Sequence, residues 1–158
     1  MEPVRAALTY ITHLLRANDI PFQVVGGLAA RAYGASRPIA EIDLYVPGDQ
    51  LERISALASE CVVRAPSHHR DSHWDMAFMA LDYGGQRIEL GAAEGRYYDH
   101  AAGCWRSAAV DFGRSELREL FGVVFPTMPL VQLMEYKRQL GREVDLQDVQ
   151  ELEHAANT

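Results

Sequence analysis

The sequence predicts a single α/β domain over residues 1–158, with α+β character: a mixed sheet flanked by helices, and further helices at the C-terminus. Short β-prone runs alternate with helical periodicity through the first half of the chain, no linker interrupts them, and two apolar helical patterns follow near the end. The 158 residues, 48% of them hydrophobic, suffice for one ordinary core. We expect a core over about residues 1–95 and a strand and helical segment over about 112–158.

The first half of the chain is predicted to contain three helices and three strands in alternation. Apolar spacing predicts each element, and glycine, proline or Asn-Asp pairs mark where it stops. In order, they are a helix from Val4 to Leu15, a strand from Pro21 to Val25, a helix from Leu28 to Tyr33, a strand ending at Val46, a helix carrying Leu51, Ile54 and Leu57, and a strand from Cys61 to Arg64. Asp49 and Glu52 resemble a capping box for the third helix.

In the second half of the chain the sequence predicts a hairpin, then a region with no regular pattern, and finally two helices. The hairpin joins residues 76–83 to 86–90 through Gly84-Gly85. We predict a polar loop over 67–75, a loop with a short helix over 94–109, and an apolar run over 117–125 that Pro126 closes. One final helix carries Leu130, Leu133, Met134 and Leu140 and ends at Gly141; the last begins near Asp145, with Leu146, Val149 and Leu152 facing inward.

Composition and charge exclude several classes of protein. A net charge of -7 argues against a duplex nucleic-acid binder with a broad basic surface. Cys61 and Cys104 stand far apart with no CxxC motif, which indicates a reducing compartment and no structural zinc. The chain has no signal-peptide pattern and no apolar run near the roughly 18 residues that a membrane span needs. We therefore expect a soluble cytoplasmic protein with no membrane partner.

Two acids stand on one face of the strand that ends at Val46. Glu41 and Asp43 are two residues apart, so both project to one side while Ile42 and Leu44 project to the other. Two such carboxylates repel each other unless a cation lies between them, and hard oxygen ligands in this arrangement suit Mg²⁺. The same alternation recurs on the second hairpin strand, where Glu89 shares a face with Arg87.

Four motifs in this order resemble a known family. They are GG at 26–27, EID at 41–43 after an arginine at 37, IEL at 88–90, and a lysine followed by R..D..D between 137 and 148. Together they cover most of the chain and resemble the nucleotidyltransferase superfamily with the DNA polymerase β-like fold, in its small stand-alone bacterial form. The resemblance implies transfer of a nucleoside monophosphate from an NTP, such as ATP, to a hydroxyl or phosphate acceptor, with Mg²⁺ as cofactor.

The resemblance also implies roles for particular residues. Glu41, Asp43 and Glu89 would be the catalytic and metal-binding acids, and Glu89 could accept the proton of the acceptor hydroxyl. Nucleotide binding would fall to Gly26, Gly27, Arg37 and Lys137, because glycines let the backbone approach phosphates and cations balance their charge.

Lys137 is also singled out by composition, because it is the one lysine among 15 basic residues. A compact ammonium contacts phosphate as a point charge, whereas a guanidinium is a planar fork. Lys137 continues the apolar stripe of Leu130, Leu133 and Met134, so its stem should cover apolar surface. We expect its ammonium to enter the cleft and face Glu41, Asp43 and Glu89. Chance survival of one lysine on a solvated face is the alternative.

Other motifs have structural interpretations that stand beside the functional ones. Asp145 and Asp148 are better explained as N-cap and first-turn acids of the last helix than as ligands. His68, His69 and His73 are interpreted as part of a polar loop and not as a metal site. Glu89 could instead form a surface ion pair with Arg87.

Two departures from the family leave further hypotheses open. The family usually has Asp where this chain has Glu41, and often Ser where it has Gly27. A protein that binds nucleotide without transferring it is the second hypothesis. The third is a partner-binding module of a two-protein defence or toxin–antitoxin pair, with an apolar patch at Trp74, Trp105 or Tyr97-Tyr98. The acceptor (small molecule, RNA or protein), the preferred NTP and the oligomeric state are not predicted by the sequence.

Overall fold

One mixed sheet with α-helices packed on it forms the protein in the computed structural model, which describes residues 2–157. The strands in that range are β1 (Gln23–Val25), β2 (Ile42–Val46), β3 (Val62–Arg70), β4 (Trp74–Tyr83), β5 (Gln86–Ala92), β6 (Arg96–Asp99), β7 (Cys104–Ser107), β8 (Glu116–Leu120) and β9 (Val123–Thr127). The helices are α1 (Glu2–Ala17), α2 (Gly26–Ala32), α3 (Leu51–Leu57), α4 (Leu130–Leu140) and α5 (Glu143–Ala156). The predicted mixed sheet with C-terminal helices is confirmed.

The strand order is β7-β6-β4-β5-β2-β1-β9-β8, and β3 pairs with β4 outside this path. β5 and β6 pair with successive parts of one edge of β4, while β3 pairs with its other edge. Two neighbouring pairs are parallel, β2 with β5 and β1 with β9, and the remaining pairs are antiparallel. Acids on β2 and β5 therefore end up side by side.

Helix α1 forms as its apolar spacing predicts and covers one face of the sheet. Leu8, Ile11 and Leu15 are 0% exposed, and burying each contributes about 1.5–3 kcal/mol. Thr12 is buried among them, and its hydroxyl is satisfied there because it donates a hydrogen bond to the backbone carbonyl of Leu8 at 2.8 Å. The buried apolar residues form a single cluster that reaches from α1 to α5.

The polar loop predicted over residues 67–75 is wrong. These residues extend β3 and β4 into a long hairpin, with only a short turn between Arg70 and Trp74. Their polar composition misled the sequence interpretation because both faces of this hairpin end are partly solvated, so no apolar alternation is required. The region of 94–109 was likewise predicted as a loop with a short helix, and it forms the β6–β7 hairpin instead.

Helix α3 forms without the predicted capping box. Asp49 lies in a short 3₁₀ turn, Gln50 occupies the N-cap position, and no side chain caps the helix. Leu57 is 44% exposed, so only part of the predicted apolar face is buried. In α5, Val149 and Leu152 face inward as expected, whereas Leu146 is 50% exposed and the expectation for it is wrong.

Towards the end of the chain, Gly141 ends its helix as predicted, whereas Pro126 does not close the apolar run before it. The apolar run of 117–125 divides into the β8–β9 hairpin, and Pro126 lies within β9. Gly141 ends α4 with φ of 68°, in the left-handed region where glycine is the preferred residue. Within residues 2–157 no helix is both long and apolar enough to cross a membrane. Cys61 and Cys104 are free thiols.

Candidate active site

Three carboxylates meet where β2 and β5 run side by side. Asp43 on β2 and Glu89 on β5 are opposite each other in the parallel register. Glu41 lies two residues before Asp43, so the alternation of an extended chain turns both to the same face. One oxygen from each of the three side chains lies within 4.8 Å of the other two. The structure thus brings together the three acids that the sequence singled out.

Burial and mutual repulsion disfavour the charged form of this cluster. Burial is the largest cause that raises the pKa of Asp43 well above its usual value, and the charges of Glu41 and Glu89 add to it. Burial also raises the pKa of Glu41, followed by the charge of Glu89. A divalent cation among the three carboxylates would reverse both effects, and three hard oxygen ligands suit Mg²⁺. The residues present therefore fit the expected cofactor.

The Gly26-Gly27 turn touches the cluster from the β1 side. Gly26 has φ of +67°, and a Cβ at this position would lie 2.6 Å from Oδ2 of Asp43. Both the backbone conformation and the space therefore require glycine here. At Gly27 a Cβ would lie 3.1 Å from Nη2 of Arg37, so this glycine makes room for the arginine. Gly26 lines the cleft described below, whereas Gly27 and Arg37, which were also predicted to bind nucleotide, are not among its lining residues.

Glu89 also pairs with its neighbour on the strand. Nε of Arg87 donates to Oε2 of Glu89 at 2.9 Å, and the two side chains are 43% and 30% exposed. An ion pair this exposed contributes about 0–1 kcal/mol, so it opposes metal ligation only weakly. The geometry is compatible with both interpretations of Glu89, the ion pair and the ligand.

Lys137 reaches the cleft from α4 with its side chain only 2% exposed. Its Nζ lies 2.9 Å from Oδ2 of Asp148 and 3.4 Å from Oδ1 of Asp145. The ammonium opposes the burial-driven rise in the pKa of Asp43. The position in the cleft agrees with expectation. The expectation that this ammonium balances the charge of the three acids is met only in part: its ion-pair partners are the two aspartates of α5, and its charge opposes the rise in the pKa of Asp43 from there.

Asp145 and Asp148 are 0% exposed and join three cations in an ion network, in which Lys137 is buried and Arg37 and Arg142 are partly exposed. Asp145 accepts hydrogen bonds from Nε and Nη2 of Arg142 at 2.6 and 3.1 Å, and Asp148 accepts from Nε and Nη2 of Arg37 at 3.1 and 2.8 Å. Burial alone would raise the pKa of Asp148, but the Arg37 hydrogen bond and the Lys137 charge outweigh it and lower that pKa. Arg142 occupies the N-cap position of α5, so neither aspartate is an N-cap, whereas Asp145 lies in the first turn as predicted.

The cleft has a volume of about 350 Å³ and walls of three kinds. One wall is acidic, one is made by the ion network, and one is aromatic. The acidic wall consists of Gly26, Glu41, Asp43 and Glu89, and the second wall of Lys137, Arg142 and Asp145. The aromatic wall consists of Tyr45, Trp74, Phe78 and Tyr136, with Met76 among them. The sequence interpretation missed the aromatic wall as part of the site, because Phe78 and Tyr136 are ordinary core types and only the fold brings them to the acids.

Hydrogen bonds fix the rings of the aromatic wall. Nε1 of Trp74 donates to the hydroxyl of Tyr136 at 3.2 Å, and that hydroxyl lies 3.3 Å from the hydroxyl of Tyr45. The guanidinium of Arg142 lies over Trp74, 4.7 Å from the ring centroid. Arg142 was not predicted as a site residue; its place three residues before Asp145 is the signal that would have found it.

The histidines of the polar stretch divide between the two faces of the β3–β4 hairpin. His69 lines the cleft together with Asp71, and its Nε2 lies 2.8 Å from Oδ2 of Asp71. Asp71 also accepts the backbone N–H groups of His73 and Trp74 at 2.7 and 2.8 Å, so it organises the turn. His68 points away and contacts Asp75 at 2.6 Å.

Comparison with known proteins identifies the fold. No family model matches the sequence, and no curated protein matches it. Among solved structures, the candidate nucleotidyltransferase TM1012 from Thermotoga maritima superposes with a TM-score of 0.76 at 20% identity, over 99% of this chain and 94% of that one. ANT(2″)-Ia in complex with adenylyl-2″-tobramycin gives a TM-score of 0.61 at 12% identity, over 96% and 90%.

A third similar structure is the lincosamide antibiotic adenylyltransferase LnuA bound to lincomycin, with a TM-score of 0.57 at 13% identity, over 94% of this chain and 95% of that one. The chain therefore has the nucleotidyltransferase fold over nearly its whole length. The fold that the sequence motifs predicted is confirmed.

Proposed function

We propose that the protein transfers a nucleoside monophosphate from an NTP to a hydroxyl or phosphate acceptor with Mg²⁺. The observation that carries this proposal is the meeting of Glu41, Asp43 and Glu89 within 4.8 Å on two paired strands, in a nucleotidyltransferase fold. Acids that converge in this way raise the cost of ionising one another, and a divalent cation among them would offset that cost.

The same three acids would hold the metal. When bound, Mg²⁺ would neutralise the triphosphate and favour in-line displacement at the α-phosphorus. The backbone at Gly26 lets phosphate oxygens come close, and the Lys137 ammonium beside it offers a compact positive charge. Glu89 accepts the proton of the acceptor hydroxyl. The acceptor oxygen forms a bond to the α-phosphorus as the bond to the bridging oxygen breaks and pyrophosphate leaves.

The acceptor could be a small molecule, an RNA or a protein. ANT(2″)-Ia and LnuA are each described with an antibiotic or its adenylylated product bound, which supports an antibiotic as one small-molecule acceptor to assay. ATP is the first donor to test for the same reason. We place the reaction in the cytoplasm of a bacterium, where NTP and Mg²⁺ are both available.

A nucleotide-binding protein without transferase activity, acting alone or with a partner in a defence or toxin–antitoxin pair, is the second candidate. Two observations favour it: Arg87 pairs with Glu89, and Lys137 is held by Asp145 and Asp148. Glu41 also replaces the aspartate that such sites usually carry. Its side chain is longer by one methylene, and displacements on the scale of about 1 Å can cost about a hundredfold in rate.

The experiment is a thermal-stability screen of the four NTPs with and without Mg²⁺, followed by a transfer assay with labelled ATP. A nucleotide at a hundred times its dissociation constant adds about 2.7 kcal/mol of stability. We expect Mg²⁺-dependent stabilisation that Asp43→Asn removes, while Asp49→Asn, the same change at an exposed position, keeps it. Stabilisation without any transferred label would favour the second candidate. No stabilisation by any NTP would contradict both.

A further inference from the structure

The sheet order indicates the side from which the acceptor enters, if the proposed transfer takes place. In-line displacement needs the acceptor and the leaving pyrophosphate on opposite sides of the α-phosphorus. Gly26, beside β1, lies on one side of Asp43, and Glu89 on β5 lies on the other. The strand beyond β5 is β4, which supplies Trp74 to the cleft. If the phosphates of the NTP lie along Gly26, the acceptor must therefore approach the α-phosphorus from the opposite side, next to Trp74.

A chain of aromatic rings leads from the outer face of the sheet to that point. Trp105 contacts Tyr98 with ring centroids 5.3 Å apart, and Tyr98 contacts His100 at 4.7 Å. His100 contacts His73 at 4.9 Å, and His73 contacts Trp74 at 5.5 Å. All five rings keep some solvent exposure. We call these five rings the ring track; it passes round the β3–β4 turn and ends in the cleft.

Arginines flank both ends of the ring track. Arg70 and Arg96 lie over Trp105, with guanidinium carbons 5.2 and 5.5 Å from the ring centroid, and Arg142 lies over Trp74. Arg70 and Arg96 are 61% and 48% exposed, while Asp75, the carboxylate that both contact, is only 8% exposed. At the Trp105 end of the ring track, two exposed arginines therefore share one nearly buried carboxylate, which gives this end a local excess of positive charge.

Proteins hold single-stranded nucleic acid with series of partly exposed aromatic rings and nearby arginines. The bases stack on the rings, and the phosphates lie near the guanidinium groups. We propose that the acceptor is the end of a single-stranded nucleic acid that lies along the ring track. Its terminal 3′ hydroxyl enters the cleft beside Glu89. The 3′ oxygen bonds to the α-phosphorus, its proton passes to the Glu89 carboxylate, and pyrophosphate leaves, so the strand grows by one nucleotide.

The acidity of the chain is compatible with this acceptor. It argues against a broad surface that tracks the two backbones of a duplex, and the ring track is instead narrow and depends on stacking as much as on charge. A duplex would also hide the base faces that the rings require. RNA and DNA share the chemistry in question, so the experiment compares both.

Binding is measured by fluorescence anisotropy with 5′-labelled oligonucleotides of about eight nucleotides, a length within the usual range of single-strand sites. The probes are one mixed sequence as RNA, the same sequence as DNA, and its DNA duplex. We expect a single strand to bind and the duplex to bind more weakly. Trp105→Leu should weaken binding at least about tenfold, because one stacking platform is lost. Arg70→Gln should reduce both the affinity and its salt dependence.

Arg114→Gln is the matched control, since Arg114 is 85% exposed on a turn away from the ring track. It should bind the oligonucleotide as the parent does. Equal binding by the parent, Trp105→Leu and Arg70→Gln would overturn the proposal, as would the absence of binding by either single strand. The latter is also the result expected if this surface receives a protein.

The reaction is tested with Mg²⁺, labelled NTP and the same strands on a sequencing gel. We expect extension by a single nucleotide, lost when the 3′ end is deoxygenated and retained with Arg114→Gln. If an NTP with Mg²⁺ stabilises the protein but neither strand is extended, the acceptor proposal is overturned and the proposed function stands. If no NTP stabilises the protein, the proposed function fails and the acceptor proposal with it.

Discussion

At the scale of single residues, Gly26 meets two requirements at one position. Its φ of +67° is disfavoured for every residue with a side chain, and its missing Cβ leaves room for the carboxylate of Asp43. Gly84 has a similar φ of +59°, but nothing lies within 4 Å of its Cβ position. Gly84 therefore shares the backbone requirement of Gly26 but not its requirement for space, which makes it a matched control.

We predict that Gly26→Ala disables the site while Gly84→Ala does not. Both substitutions should cost about 1–2 kcal/mol of stability from the left-handed backbone. Only Gly26→Ala also pushes against Oδ2 of Asp43, so it should lose Mg²⁺-dependent stabilisation by NTP. Thermal unfolding of both variants with and without Mg²⁺ and NTP measures this. Equal nucleotide responses would show that the turn does not position the acid.

We predict that Asp43→Asn makes the metal-free protein more stable at neutral pH. Burial, Glu41 and Glu89 all disfavour the charged form of Asp43, and the substitution removes that charge at nearly constant volume. The melting temperature in EDTA should therefore rise, even though the variant loses the nucleotide response. A lower melting temperature in EDTA would mean that the Asp43 charge stabilises the fold.

Sequence periodicity predicted some of the site residues and could not predict others. Glu41, Asp43 and Glu89 were found because strand alternation puts acids on one face, and the parallel register then aligns two of them. Asp145 lies in the first turn of α5 as predicted, but the ion pairs of Asp145 and Asp148 with Lys137 were missed, because acids at the start of a helix usually serve the helix itself. Arg37, a partner of Asp148, lies more than a hundred residues away in sequence, and only tertiary structure reveals that contact.

At the scale of elements, α4 and α5 are joined by two buried ion pairs from Lys137, to Asp145 and Asp148, and by one exposed pair. Lys137 meets Asp148 at 2.9 Å with both side chains at most 2% exposed. Arg138 meets Glu153 at 2.7 Å with side chains 44% and 51% exposed. The same two helices therefore allow a comparison in which burial is the main variable.

We predict that Asp148→Asn costs about 3–5 kcal/mol in unfolding free energy, because Lys137 and Arg37 lose a buried counter-charge. Glu153→Gln should cost no more than about 0.5–1 kcal/mol, as exposed pairs do. Urea unfolding of both variants at neutral pH measures the difference. Similar costs would mean that the buried network is not what fixes α5 against α4.

We predict that both Lys137→Arg and Lys137→Ala weaken NTP binding. The arginine keeps the charge, but its larger planar group must fit a site 1% exposed, and the alanine removes the charge altogether. Affinity and turnover should be measured for the two side by side, with Arg138→Ala on the exposed face of α4 as control. If both variants bind NTP as the parent does, the lysine has no role in the site.

Elements with strong sequence patterns were predicted well. The end of the β3–β4 hairpin and the whole β6–β7 hairpin were not, because the first was predicted as a loop and the second as a loop with a short helix. The spacing of α1 and the Gly84-Gly85 turn each follow from one local rule. Strands β6 and β7 have only four residues each and mix charged, aromatic and small types, so no periodicity distinguishes them from a loop. They form because the edge of β4 next to β5 offers unpaired backbone groups.

At the scale of the whole molecule, acids with opposite pKa shifts determine how stability depends on pH. Asp43 and Glu41 have raised pKa values, so their repulsion is relieved as pH falls towards those values. Asp148 has a lowered pKa, and that of Asp71 is lowered to about 2, because hydrogen bonds from His69 and two backbone N–H groups outweigh its burial. The stability that these two contribute is present above the unfolded value of about 3.9 and is lost as pH falls through the folded values.

We predict a stability maximum in mildly acidic solution for the metal-free protein. From neutral pH downwards the melting temperature in EDTA should first rise, as the acid cluster takes up a proton, and then fall below about pH 4. The initial rise should be much smaller in Asp43→Asn. A profile that is flat above pH 4 in the parent would contradict the repulsion argument.

The burial of Lys137 has a chemical consequence for handling the protein. Reagents that acylate or cross-link amines find just one ε-amino group in this chain, and it is enclosed between two helices. Its modification can proceed only as fast as that enclosure opens, so the rate of labelling by an amine reagent reports local opening of the α4–α5 junction. A peptidase that cuts only after lysine would likewise have a single site in the chain, closed while the fold is intact.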